Sequence, residues 1–189
     1  AVKNRMYYSK KWKTFHDFLL EYIRLIFGKE WGQAEFMKPF EKRHPVVQWY
    51  EMSHSHMKGQ QKGNGTINVA PMTGAMAAYI NLSYNLYLLA HNVEIQERLI
   101  KRLKDVSQFH GAQYETYVAA EFIKAGFNLE IENEEDSRTT HCEFTAVSKK
   151  TGKKYSIEAK SRQTGKETIG IGNQLYNALK KQGKYERVI

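Results

Sequence analysis

The spacing of apolar residues divides the chain into two stretches with different periods. In residues 12–27, Trp12, Phe15, Leu19, Tyr22, Ile23 and Ile26 recur at helical spacing, and Gly28 marks a stop. Residues 46–57 are apolar and aromatic and read as a second helix. The glycines and polar residues of 58–65 predict a loop after it. Residues 75–90 are hydrophobic on most sides, which predicts a buried helix. Asn92 is placed to cap a further helix to about Lys104, with Ile95, Leu99, Ile100 and Leu103 on its inner face. Helices therefore fill the amino-terminal region, residues 1–105.

The pattern changes past Asp105. Residues 111–125 predict one more helix, with Tyr114, Val118, Phe122 and Ala125 as its stripe and Gly126 as its end. Residues 127–131 are short and strand-like. Residues 141–147 alternate, and a turn at 150–153 leads into a second alternating run, 155–162. Residues 172–182 then read as a helix, and 185–189 begin a strand. The expected class is α/β, with residues 106–189 as a mixed sheet flanked by helices. The chain stops where a sheet would continue, which points to a truncated or processed product.

Composition narrows the setting. The single cysteine, Cys142, excludes an internal disulfide framework and any paired-cysteine zinc site. The histidines form no zinc-binding spacing, and His54 and His56, two apart, read as loop or simple polar residues. Residues 75–90 fall short of the roughly 18 apolar residues a membrane span requires and carry Asn81 and Asn85, so no membrane partner is expected. With no charged-then-apolar leader, the expectation is a cytoplasmic protein. Lys and Arg number 29 against 20 Asp and Glu, a net charge of +9. Such a chain attracts polyanions, and neutralising phosphates releases condensed counterions, so nucleic acid is the leading partner.

Alternation along a strand puts Glu158 and Lys160 on one face, with Ile157 and Ala159 on the other. On the preceding strand Glu143 shares a face with His141 and Thr145, while Cys142, Phe144 and Ala146 form the apolar side. A hairpin turning at Gly152 brings Glu143 beside Glu158 and Lys160. Two carboxylates and an ammonium suit phosphodiester hydrolysis, because hard oxygen ligands hold Mg2+ while leaving it waters and substrate phosphate. The competing reading is a solvated salt-bridge face.

The run Gly111-Ala-Gln-Tyr-Glu115, continuing to Gly126-Phe127, is followed by His141-Cys-Glu143-Phe144, a turn, and Ser156-Ile-Glu158-Ala-Lys160. This order resembles the helix glutamate, strand acid and ExK strand of the PD-(D/E)xK, restriction-endonuclease-like nuclease superfamily. The resemblance implies a Mg2+- or Mn2+-dependent nuclease acting on DNA, with endonuclease action the leading form. It implies that Glu143 and Glu158 are metal ligands, that Lys160 orients or activates water, and that Glu115 joins or supports the metal shell. The family usually has aspartate, often after proline, where this chain has Cys142-Glu143, and Asp136 is the alternative second acid.

Arg162 and Lys166 follow the ExK strand and are expected to contact phosphates. Gln174 resembles, weakly, a glutamine on a helix of some nuclease branches. Lys149, Lys150, Lys153 and Lys154 cluster at the hairpin turn as a basic or merely solubilising tip. Gly165-Lys166 lacks the glycine spacing of a nucleotide-binding loop. Amino-terminal lysines and arginines interleaved with Tyr7, Tyr8 and Trp12 are compatible with phosphate contact and base stacking, although core packing is favoured for the aromatics. A nucleic-acid-binding module without catalysis and a self-associating, homodimeric helical half are the rival readings, and RNA stays open beside DNA.

Overall fold

A computed structural model describes residues 7–60, 69–131, 142–161, 171–181 and 185–189. The chain is α/β and divides into two compact units, Ala1–Ala90 and His91–Ile189.

In the first unit the described elements are helices: α1 (Phe15–Phe27), α2 (Lys29–Phe36), α3 (Pro45–Gly59) and α4 (Gly74–Leu88). Thr14 and Asp17 start α1 with a reciprocal capping box, in which the Asp17 N–H donates to Thr14 Oγ1 and the Thr14 N–H donates to Asp17 Oδ2. Gly28 ends it at φ 88°, a left-handed value that suits glycine. The helix α2, which follows at once, has no periodic apolar stripe and is a feature that pattern reading misses. In place of the loop expected at 58–65, Lys58 and Gly59 complete α3, while 61–65 lie outside the described residues. His54 and His56 likewise stand in α3, not in a loop.

The all-round apolar character of α4 has the expected consequence. Tyr79, Leu82 and Leu86 are buried, and α4 packs on both α1 and α3. Two of its polar groups are satisfied across the contact with α1, Ser83 Oγ donating to the Leu19 carbonyl at 2.6 Å and Tyr79 OH to the Leu20 carbonyl at 3.1 Å. Trp12 meets Phe18 edge-on, Tyr7 meets Tyr22 likewise, and Tyr8 is exposed.

The second unit holds α5 (Val93–Leu103), α6 (Phe109–Lys124), β1 (Phe127–Glu130), β2 (Phe144–Ser148), β3 (Lys154–Ile157), α7 (Ile171–Lys180) and β4 (Glu186–Val188). The strands lie in the order β1-β2-β3-β4. The first three are antiparallel neighbours, and β4 returns parallel to β3 after α7. A parallel return requires a crossover, which α7 lies within. Asn92 stands at the start of α5 but makes no side-chain cap bond.

Two expectations are corrected here. The stripe assigned to α6 is rotated: Tyr114 and Ala125 are exposed, and the buried residues are Phe109, Ala112, Glu115, Thr116, Ala119 and Ala120. Small side chains let this helix approach its neighbours closely, and the bulky tyrosines go outward. The strand expected at 155–162 ends at Ile157, although the Glu158 N–H still reaches the Val188 carbonyl at 3.0 Å. Among the described residues no helix is long and apolar enough to cross a membrane.

Phe109 is completely buried at the start of α6. Phe109→Ala should therefore cost about 3–5 kcal/mol, read as a lower urea midpoint for the second unit. An unchanged midpoint would show that α6 is not fastened through this ring.

Candidate functional site

The register pairs Phe144 with Ile157 and Thr145 with Ser156. In an uninterrupted antiparallel ladder successive amides point to alternate neighbours. The Ser148 N–H donates to the Lys153 carbonyl just before β3 and the Lys149 N–H to the Gly126 carbonyl just before β1, which sets that alternation. By it the Glu143 N–H should point away from β3, yet it donates to the Ile157 carbonyl at 2.9 Å. Two successive residues, Glu143 and Phe144, thus face one, which is the signature of a bulge that re-aims a side chain. Strict alternation, which places Glu143 opposite in sense to Phe144, fails at this step. Glu143 instead lines a small cleft together with Phe144, Ile95, Leu99, Arg98 and Glu115.

Glu158 and Lys160 stand just past the end of β3. The Glu158 carboxylate is fully buried, while the Lys160 side chain is 36% exposed. Lys160 Nζ pairs with Glu158 Oε1 and lies 3.9 Å from Glu143 Oε1. A second ammonium completes the group: Lys181 Nζ is 2.9 Å from Glu158 Oε1 and 3.7 Å from Glu143 Oε1. Both nitrogens crowd onto Glu158 Oε1, and among the described residues the buried Oε2 has no hydrogen-bond donor.

Helix α5 contributes the remaining cations. Arg102 grips Glu115 through both guanidinium arms, with Nη2 2.8 Å from Oε1 and Nη1 against Oε2. Arg102 Nη1 also lies 3.9 Å from Glu143 Oε2, and Arg98 Nη2 lies 3.7 Å from the same oxygen. Burial pushes the Glu115 carboxyl upward, the Arg102 fork pulls it back, and the Glu143 charge adds to the rise, so the net direction is up. Burial pushes Arg102 down, but its bonds to Glu115 dominate and its net shift is up. The two directions agree physically: the guanidinium keeps more contact with water than the carboxylate does, so desolvation falls mainly on Glu115. Lys181 follows Arg102, lowered by burial but raised overall by Glu158 and Glu143.

The fold thus brings together Glu115, Glu143, Glu158 and Lys160 within one unit. Three cations that sequence reasoning missed join them: Arg98, Arg102 and Lys181. The two arginines had a signal, an i, i+4 pair beside the Ile95–Leu99 stripe. Lys181 had none that separates it from Lys180, since lysines at a helix end are ordinary. Gln174 stands on α7, and none of the cluster's ion pairs involves it. Arg162, Lys166, Asp136 and His141 lie outside the described residues.

No family model, curated protein or solved structure matches the chain.

Among the described residues no three His, Cys, Asp or Glu side chains are grouped to hold a metal. What is present is a pair of carboxylates, one of them buried, bridged by ammonium groups. Around the hairpin turn Lys153 pairs with Glu186 at 2.7 Å and Lys154 with Glu130 at 2.9 Å, while Lys149 and Lys150 are exposed.

The raised Glu115 carboxyl carries a pH signature. A folded-state pKa above the unfolded one means that Glu115's contribution to stability is complete below the ordinary glutamate range and is lost as pH rises through the raised value. The unfolding free energy of wild type relative to Glu115→Gln should thus fall as pH climbs from acid to neutral. Arg102→Met should steepen that fall by removing the compensating fork. A difference that grows with pH would show that Arg102 outweighs burial.

Proposed function

We propose that the second unit hydrolyses DNA phosphodiester bonds with a divalent cation, Mg2+ or Mn2+, on a restriction-endonuclease-like core. The observation that carries this reading is the meeting of Glu143, Glu158 and Lys160 where two neighbouring strands end, beside Glu115 of the helix that precedes the sheet. Further support comes from the mixed sheet with helices before and between its strands, and from the net charge of +9.

The donor set suits such a cation. Glu158 and Glu143 offer hard carboxylate oxygens, and among the described residues the buried Glu158 Oε2 has no hydrogen-bond donor. Mg2+ is commonly held by one or two carboxylates and completes its shell with water and substrate phosphate, so a third protein carboxylate is not required. When bound, the cation would polarise the phosphoryl group and acidify a coordinated water. Lys160, as an ammonium between two carboxylates, is a hydrogen-bond donor; its role is to orient the attacking water and offset negative charge on the phosphate. Hydrolysis forms a bond from water oxygen to phosphorus and breaks a bridging P–O bond, leaving a phosphomonoester and a hydroxyl. Glu115, with both oxygens engaged by Arg102, takes the supporting role.

One observation favours a second reading, a DNA-binding module without catalysis. Four cations already surround three carboxylates, so the cluster is more than neutralised before any metal enters.

Cleavage of plasmid and oligonucleotide DNA with Mg2+, Mn2+ or chelator distinguishes the two. Lys160→Ala and Glu158→Gln should each reduce metal-dependent cleavage on the order of a hundredfold or more while DNA binding persists. Undiminished cleavage in either variant would remove these residues from the chemistry. Binding without cleavage by the wild type would favour the module.

A further inference from the structure

Lys181 has no place in the series of helix glutamate, strand acid and ExK strand, yet its ammonium touches both strand carboxylates. Its position is built from the backbone outward. Arg187 of β4 donates through Nη1 to the carbonyls of Leu179 at 2.5 Å and Lys181 at 2.6 Å, closing the end of α7. Ser156 of β3 fastens the same region, accepting the Tyr185 N–H on its Oγ at 3.2 Å. The Lys181 backbone is therefore tied to the sheet, while its four-carbon stem leaves the charged end able to move without the main chain.

We infer that Lys181 is a built-in counter-ion standing in the place of the divalent cation between Glu143 and Glu158, and that cation binding displaces it. The inference rests on the nuclease reading and adds a control on that same site. A fully buried carboxylate needs a positive partner whether or not metal is present. Lys181 supplies one at 2.9 Å, on the Glu158 oxygen that Lys160 also contacts, and reaches Glu143 as well. Both ammonium groups crowd onto Glu158 Oε1, and among the described residues Oε2 has no hydrogen-bond donor, so one oxygen of the carboxylate stays open to a cation. A dication added while both lysines remained would raise an already positive cluster further. Lys160 is bound by its proposed role to stay near the reacting phosphate, which leaves Lys181 as the charge to move.

The test is calorimetric titration of the full chain with Mn2+, without DNA. Lys181→Met should bind Mn2+ on the order of tenfold more tightly than wild type, since a repelling charge is gone, and Lys181→Arg should stay near wild type. Lys181→Gln repeats the measurement should the methionine variant fail to fold, with circular dichroism as the check. Glu143→Gln in the Lys181→Met background should abolish the binding and so locate it. Equal or weaker Mn2+ binding by folded Lys181→Met and Lys181→Gln would overturn the displacement while leaving the nuclease reading intact. An absence of Mn2+ binding in wild type and in every Lys181 variant would overturn both.

Discussion

The second unit is organised around one costly constraint, the complete burial of the Glu158 carboxylate at the end of β3. An isolated ionised carboxylate in an apolar interior carries a desolvation penalty of several kcal/mol or more even after relaxation. Something positive must therefore be held against it. The fold meets that demand twice, with Lys160 two residues along the chain and Lys181 from beyond α7. The placement of β4 matters for this reason: through Arg187 it closes the end of the helix from which Lys181 reaches back. A three-residue exposed strand with little burial of its own thus contributes to the electrostatics of the interior.

A purely structural account of the cluster is weak on physical grounds. Buried ion pairs roughly break even against apolar residues of similar volume, and often do worse. A small unit with a four-stranded sheet could have closed the ends of β2 and β3 with aliphatic side chains. It instead gathers three carboxylates and four cations, bends the chain at Glu143 just before β2 so that another charge enters the cleft, and crowds two ammonium groups onto one Glu158 oxygen. Crowded buried charges are a burden to a scaffold. They are an asset where a group must change partners.

Legibility from sequence followed the reach of each signal. Helices with strong periodicity and a defined end, such as α1 with its Gly28 stop, were readable because local chemistry determines them, although the Thr14 cap that starts α1 three residues past Trp12 was not read. The hairpin of β2 and β3 was readable for the same reason, with Gly152 at φ 71° in its turn. Periodicity misled on α6, because a stripe of large side chains outweighs small ones in such a reading, whereas the interior selected alanines and Glu115 for close approach. Proximity of Glu143, Glu158 and Lys160 followed from strand pairing alone. The bulge at Glu143 did not, since a one-residue slip leaves no mark on a run as short as 141–147. Lys181 enters from just past α7, remote in sequence, where a lysine at a helix end has no distinguishing trace, and the i, i+4 spacing of the two arginines marks a shared helix face without naming what that face meets.

The arginines also bear on how the chain is divided. A change of hydrophobic period near Asp105 is a change in local grammar, whereas Arg98 and Arg102 belong to the charge cluster and to the same compact unit as the sheet. Arg102 compensates Glu115, and both arginines lie near Glu143, so α5 is electrostatically part of the site. Without α5, Glu115 would stand buried with the negative charge of Glu143 as a neighbour and no guanidinium to hold it ionised. Its carboxyl would then be driven towards protonation, and the field felt at Glu143 would change with it. The unit that could carry chemistry begins before the helix glutamate, because the charge that makes that glutamate tolerable sits in the last turn of α5, ahead of α6 and of every strand.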